Sequence, residues 1–220
     1  INLFLFINIM YAASSYNIDL ISHISQITQY NSNANFGISD VWGYTDENNI
    51  EYAIVGYRYG TFIYNVSSNP NNPTLISDFL GPSNGDYYFH RDYKIYGDYL
   101  YIVNEMTGID EGVQIIDLSP LPNNMPLKIN TYTGVLQSHN LWIDEQSALA
   151  FIEKQYPENI HILDLYNPAN PIDISAFNNN IGQNCHDIFT FQNIAYISEG
   201  YSYEFGIYDI SNILNPIKIN

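Results

Sequence analysis

Four short polar motifs hold the residues of this 220-residue chain best suited to chemistry. They are Ser39-Asp40, His90-Arg91-Asp92, His139-Asn140 and His186-Asp187. Asp40, Asp92, Asn140 and Asp187 fall 52, 48 and 47 residues apart, so the motif is periodic. Carboxylates and imidazoles gathered by such a repeat can hold a divalent cation. Oxygen-rich sets suit Ca, and sets containing histidine suit Zn or another transition metal. On this reading His139, His186, Asp187 and Asp92 are the candidate metal ligands. Asp40, His90, Arg91, Asp92 and Asn140 are the candidates for binding a small polar ligand. The plainer alternative is that these residues cap strand starts and bond turn backbones. Arg91 argues against a simple cation site, because its guanidinium could neutralise Asp92 by itself.

The elements that must position these motifs are also periodic. Ala53-Ile54-Val55, Tyr101-Ile102-Val103, Ala150-Phe151-Ile152 and Ala195-Tyr196-Ile197 follow the four motifs in turn. A third run comes next, as in VQIIDLSPLPNNMPLKIN (113–130) and NIHILDLYNPANPIDIS (159–175). It ends in Asn or Asp plus an aliphatic, then a polar turn, a proline and a fourth apolar run. The prolines Pro73, Pro126, Pro171 and Pro216 lie 53, 45 and 45 residues apart. Each repeat therefore reads as four short strands between Gly-, Asn-, Asp- and Pro-rich turns, with no helical periodicity. Four strands in a unit of about 40–50 residues is the signature of a β-propeller blade. The expected fold is all-β, with four visible blades at about 36–85, 86–135, 136–180 and 181–220.

In a propeller the innermost strands converge on the axis, so the four motifs should meet at one mouth of the channel. Alternation puts Val41, Tyr93, Leu141 and Ile188 on one blade face, with Gly43, Ile95, Ile143 and Thr190 two residues on. These should pack between blades. Glu105, Glu153 and Glu199 follow the second strands and are expected to be solvated turn residues.

Residues 1–15 read as the apolar and cleavage regions of a secretory signal peptide, and the run is shorter than the roughly 20 residues that span a membrane. The mature chain is thus expected to be exported, with no transmembrane segment. Tyr16–Gln26 looks like a closing strand whose blade lies outside these four, which implies roughly two to four further blades. A formal charge of −17 with only 6 Lys+Arg excludes a nucleic-acid partner on electrostatic grounds. The single cysteine, Cys185, is either a buried thiol or pairs outside the chain. No nucleophile elbow, HExxH motif or phosphate-binding loop is present.

SDVWGYTDENNIEYAIVG, HRDYKIYGDYLYIVNE, SHNLWIDEQSALAFIEK and the IIDL/ILDL repeats resemble the choice-of-anchor B family, whose units are called LVIVD repeats. The resemblance runs from Gly37 to Asn220. It implies an exported bacterial propeller, secreted or attached to the cell surface by a C-terminal segment of variable type. The expected function is a binding scaffold for an extracellular protein or a glycan, with Tyr87, Tyr88, Tyr201 and Tyr203 available for stacking. A metal-dependent hydrolase or lyase using the His/Asp ring is the alternative.

Overall fold

The computed structural model describes residues 18–24, 38–85, 90–154, 159–177, 185–199 and 204–219. Over these the chain is all-β, built as four antiparallel four-stranded sheets, each in simple up-and-down order. Blade 1 holds β1 (Ile38–Thr45), β2 (Glu51–Tyr57), β3 (Gly60–Asn65) and β4 (Thr74–Leu80). Blade 2 holds β5 (Arg91–Tyr96), β6 (Tyr99–Asn104), β7 (Val113–Asp117) and β8 (Leu127–Tyr132). Blade 3 holds β9 (Leu141–Asp144), β10 (Leu149–Lys154), β11 (Asn159–Asp164) and β12 (Ile172–Phe177). Blade 4 holds β13 (Cys185–Phe191), β14 (Ile194–Glu199), β15 (Glu204–Asp209) and β16 (Ile217–Lys218). Among the described residues no helix is long and apolar enough to cross a membrane.

Local chemistry accounts for the turns. The Asn or Asp that ends each third strand accepts a backbone N–H from two or three residues on. Asn65 Oδ1 takes Ser68 N–H at 3.0 Å and Asp117 takes Ser119 at 2.9 Å. Asp164 takes Tyr166 at 2.7 Å and Asp209 takes Ser211 at 2.9 Å. Each closes an Asx-type turn that starts the crossing to the outer strand. The β13–β14 hairpin turns through Gln192 and Asn193 at φ 50° and 62°, the left-handed pair that matches strand twist.

The core lies between blades. Tyr93, Leu100, Ile102 and Ile116 of blade 2 pack on Tyr52, Ile54 and Ile63 of blade 1. Leu141, Ile143, Ala150 and Ile152 of blade 3 pack on Tyr101, Val103, Val113 and Ile115 of blade 2. Ile188, Ala195, Ile197 and Tyr208 of blade 4 pack on Phe151, Ile160 and Ile162 of blade 3. The face expected from alternation is thus the one each blade turns to the blade before it. Val41, on the same face of blade 1, is 59% exposed.

Pairing corrects one alignment. Tyr93 pairs with Ile102 as Leu141 pairs with Ile152, so the blade 2 counterpart of Ala150-Phe151-Ile152 is Leu100-Tyr101-Ile102. A frame of Tyr101-Ile102-Val103 is one residue late, and one residue reverses every side chain between faces. All four side chains from Leu100 to Val103 are apolar, so hydrophobicity alone left the frame open. Residues 18–24, the described part of the expected closing strand, form no strand, and Ile24 packs beside Tyr57 and Tyr64. The expected signal peptide lies outside the described residues.

Candidate site at the channel mouth

Innermost strands β1, β5, β9 and β13 lie side by side and bring their starts together. Three imidazoles from successive blades form a row there. The His90 and His139 ring centroids are 5.5 Å apart, and those of His139 and His186 are 4.7 Å apart. His139 is the central ring, and its Nδ1 lies 2.8 Å from Glu105 Oε1. An ionised carboxylate only accepts, so the proton of this bond sits on Nδ1, and in the neutral ring Nε2 keeps its lone pair. The Glu105 bond raises the pKa of His139 against the opposing effect of burial. Glu153 and Asp92 add to that rise by their charge. The His139 backbone is held as well, because its N–H donates to Glu153 Oε2 at 2.7 Å.

The glutamates are the main correction to the sequence reading. Glu153 and Glu199 are 2% exposed, and the Glu105 side chain is 8% exposed. They are buried acceptors, not solvated turn residues. Glu199 accepts Tyr208 O–H at 2.6 Å and pairs with Lys218 at 2.9 Å. A signal existed in the repeat itself: YIVNE, AFIE and AYISE each put a glutamate one or two residues behind an apolar run.

Arg91 is the second correction, because it is not part of the ring. Its side chain turns between blades 1 and 2 and is 2% exposed. It donates to the carbonyls of Tyr57 at 3.1 Å, Arg58 at 3.1 Å and Pro82 at 2.5 Å. The cation beside Asp92 is instead Lys94, at 2.9 Å, which also lies 4.4 Å from the Trp42 ring centre.

The remaining members divide between structure and surface. Asp92 accepts Tyr93 N–H at 2.8 Å with one oxygen and Leu141 N–H at 2.9 Å with the other, which clips β5 to β9. Asp40 sits beside Asp92, and burial, then the neighbouring carboxylate, raises its pKa against the pull of Val41 N–H and Lys94. Asp187 accepts its neighbour's N–H, from Ile188 at 2.8 Å. Asn140 Oδ1 is buried next to His139 without a hydrogen-bond partner.

Of the metal set read from sequence, His139 and His186 lie together, whereas Asp92 is engaged elsewhere. Among the described residues no three His, Cys, Asp or Glu side chains are grouped to hold a metal ion. Asp92 is spent on two backbone N–H groups and a lysine, and three imidazoles rather than carboxylates dominate what is left. Tyr87, Tyr88, Tyr201 and Tyr203 lie outside the described residues. Cys185 is a buried thiol at the interface of blades 3 and 4, its pKa pushed up by desolvation.

Comparison with solved structures agrees with the architecture. A Bacteroides fragilis protein described provisionally as a 6-phosphogluconolactonase superposes with a TM-score of 0.61 at 10% identity. That match covers 83% of this chain and 53% of the other. A protein of unknown function from Desulfotomaculum acetoxidans gives 0.61 at 13% identity, covering 84% of this chain and 56% of the other. A hypothetical selenium-binding protein from Sulfolobus tokodaii gives 0.53 at 14% identity, covering 80% and 46%. The chain is similar to these in fold, and it spans about half of their length. No protein-family model and no curated protein matches the sequence.

Proposed function

We propose that the chain belongs to an exported propeller of the choice-of-anchor B kind, secreted or held at a bacterial cell surface. It acts there as a binding scaffold, and its channel mouth takes a small polar ligand or a divalent metal. The observation that carries this reading is the 2.8 Å bond from His139 to Glu105, set between the rings of His90 and His186. A carboxylate on one imidazole nitrogen fixes the tautomer and aims the other nitrogen, as it does behind metal-bound and catalytic histidines. In the neutral ring His139 Nε2 is an acceptor, so the mouth then favours a ligand that donates hydrogen bonds, such as a sugar hydroxyl. Among metals the imidazole row favours Zn over Ca. The competing reading, a metal-dependent hydrolase or lyase, requires a nucleophile as well as the metal, and the sequence carries no recognisable nucleophile motif.

The test is histidine side-chain NMR of the chain titrated separately with Zn, with Ca and with a panel of neutral oligosaccharides. Saturable shifts confined to His90, His139 and His186 are expected from one probe, and Glu105→Gln should weaken that binding at least about fivefold. If no probe moves these resonances, the row is a structural stack and the ligand reading fails.

A further inference from the structure

The segment 133–140 joins β8 to β9 and so reaches the channel mouth, and β10, antiparallel to β9, ends on the same side at Lys154. Between them lies a pocket of about 260 Å³ lined by Thr133, Gly134, Leu136, Gln137 and Lys154. It adjoins the histidine row through Glu105. The Glu105 backbone carbonyl accepts Gln137 Nε2–H at 3.2 Å, while its carboxylate holds His139. Pockets for drug-sized ligands run from about 300 to 1,000 Å³, so this one has room for a single small unit.

The charge in this pocket is uncommon for the chain, which carries 23 Asp+Glu against 6 Lys+Arg. Lys94, Lys128 and Lys218 each pair with a carboxylate. Among the described residues Lys154 has no such partner, and its Nζ donates to the Gly134 carbonyl at 3.3 Å. A lysine carries three N–H donors, so two remain for a ligand. The Gln137 amide is oriented by its bond to the Glu105 carbonyl, because a carbonyl only accepts. That bond leaves Gln137 Oε1 as an acceptor with no partner among the described residues. Thr133 adds a hydroxyl, and Leu136, 46% exposed, adds an apolar patch.

The wall of the pocket is braced from behind. Tyr132 O–H donates to Asp173 Oδ2 at 2.8 Å, and His161 Nδ1 bonds the same oxygen. The phenol held in this way lies against Gly134, where an added Cβ would meet its oxygen at 1.9 Å. Gly134 therefore stands where a larger residue would displace the phenol, and its carbonyl is placed for Lys154. A wall fixed before the ligand arrives lowers the ordering cost of binding.

We propose that this pocket binds an acidic sugar unit, a ring that carries both a carboxylate and hydroxyls. Lys154 takes the carboxylate, Gln137 Oε1 and Thr133 take hydroxyls, and Leu136 packs on the C–H face of the ring. At 0.15 M salt the Debye length is about 8 Å, so a carboxylate seated on Lys154 meets that cation more than the distant part of the net charge. The inference rests on the sugar-binding reading of the mouth, to which the pocket adds a neighbouring subsite with its own selectivity.

NMR titration of the 220-residue chain with glucuronate, glucose and acetate tests it. Glucuronate should shift the backbone amides of Gly134, Leu136 and Gln137 saturably, and glucose and acetate should each bind at least about tenfold more weakly. Lys154→Met keeps the stem and removes the charge, and it should lower glucuronate binding to the glucose level. A cooperative melt at the wild-type temperature confirms that the variant is folded. The inference is overturned if glucuronate leaves these amides unmoved, or if its affinity survives Lys154→Met. Acetate bound as tightly as glucuronate also overturns it, because the site would then be a bare cation. The imidazoles are read in the same spectra. Shifts confined to His90, His139 and His186 overturn the pocket and leave the mouth reading standing. Shifts in the pocket while the imidazoles stay still under every probe uphold the pocket and sink the mouth reading.

Discussion

Glu105 and His139 carry the most specific chemistry at the channel mouth, and their coupling has a definite pH signature. The Glu105 bond raises the folded-state pKa of His139 above the ordinary value of about 6.5. A histidine whose folded pKa is raised contributes stability that is complete below its unfolded pKa and is lost as pH rises through the folded value. Glu105→Gln should therefore lower the His139 pKa in an NMR titration. It should also lower thermal stability more at pH about 5.5 than at pH about 8. An equal loss at both pH values would mean that Glu105 acts through packing alone. Asp92 illustrates the opposite case, a residue whose type suggested a ligand and whose oxygens are committed to backbone.

At the level of the strand, register decides which side chains are core. Phe151 and Tyr196 hold the same position on successive blades, yet Phe151 is fully buried and Tyr196 lines an open groove. Phe151→Ala should cost about 4 kcal/mol by leaving a cavity between blades 3 and 4. Tyr196→Ala should cost under about 1 kcal/mol, because the face it lies on is open. Urea denaturation of both variants measures the contrast. Polar bonds tie the same interfaces together. Trp142 Nε1–H donates to Thr190 Oγ1 at 2.9 Å, whose hydroxyl donates to Asp144 at 3.0 Å. Between blades 1 and 2 the Thr61 and Tyr93 hydroxyls meet at 3.0 Å in the core.

Over the whole molecule, charge works against compactness. The formal charge of −17 over 220 residues gives mutual repulsion, and that figure already includes all 6 Lys+Arg, those in ion pairs among them. Screening should therefore stabilise the fold. Melting temperature should rise by several degrees between about 0.01 and 0.15 M salt, where the Debye length falls from roughly 30 to 8 Å. A flat or falling melting temperature would show that local ion pairs outweigh the net repulsion.

Periodicity in the sequence was enough to determine the all-β repeat, the four strands per blade and the Asx turns. Those features depend on local backbone preference and on which residues alternate, and both are written in runs such as NIHILD and VQIID. It also marked the histidines as neighbours, since equivalent positions in a repeat come together at the axis. The direction of Arg91 was not legible, because the three carbonyls it bonds come from Tyr57, Arg58 and Pro82, far away in sequence. Burial of Glu105, Glu153 and Glu199 was likewise decided by the fold. A glutamate after a strand is solvated unless another segment brings donors to it, and here His139 and Lys218 do so from 34 and 19 residues away. The engagement of Asp92 was hidden for the same reason: sequence spacing put it at the mouth, and tertiary packing delivered Leu141 N–H to its second oxygen.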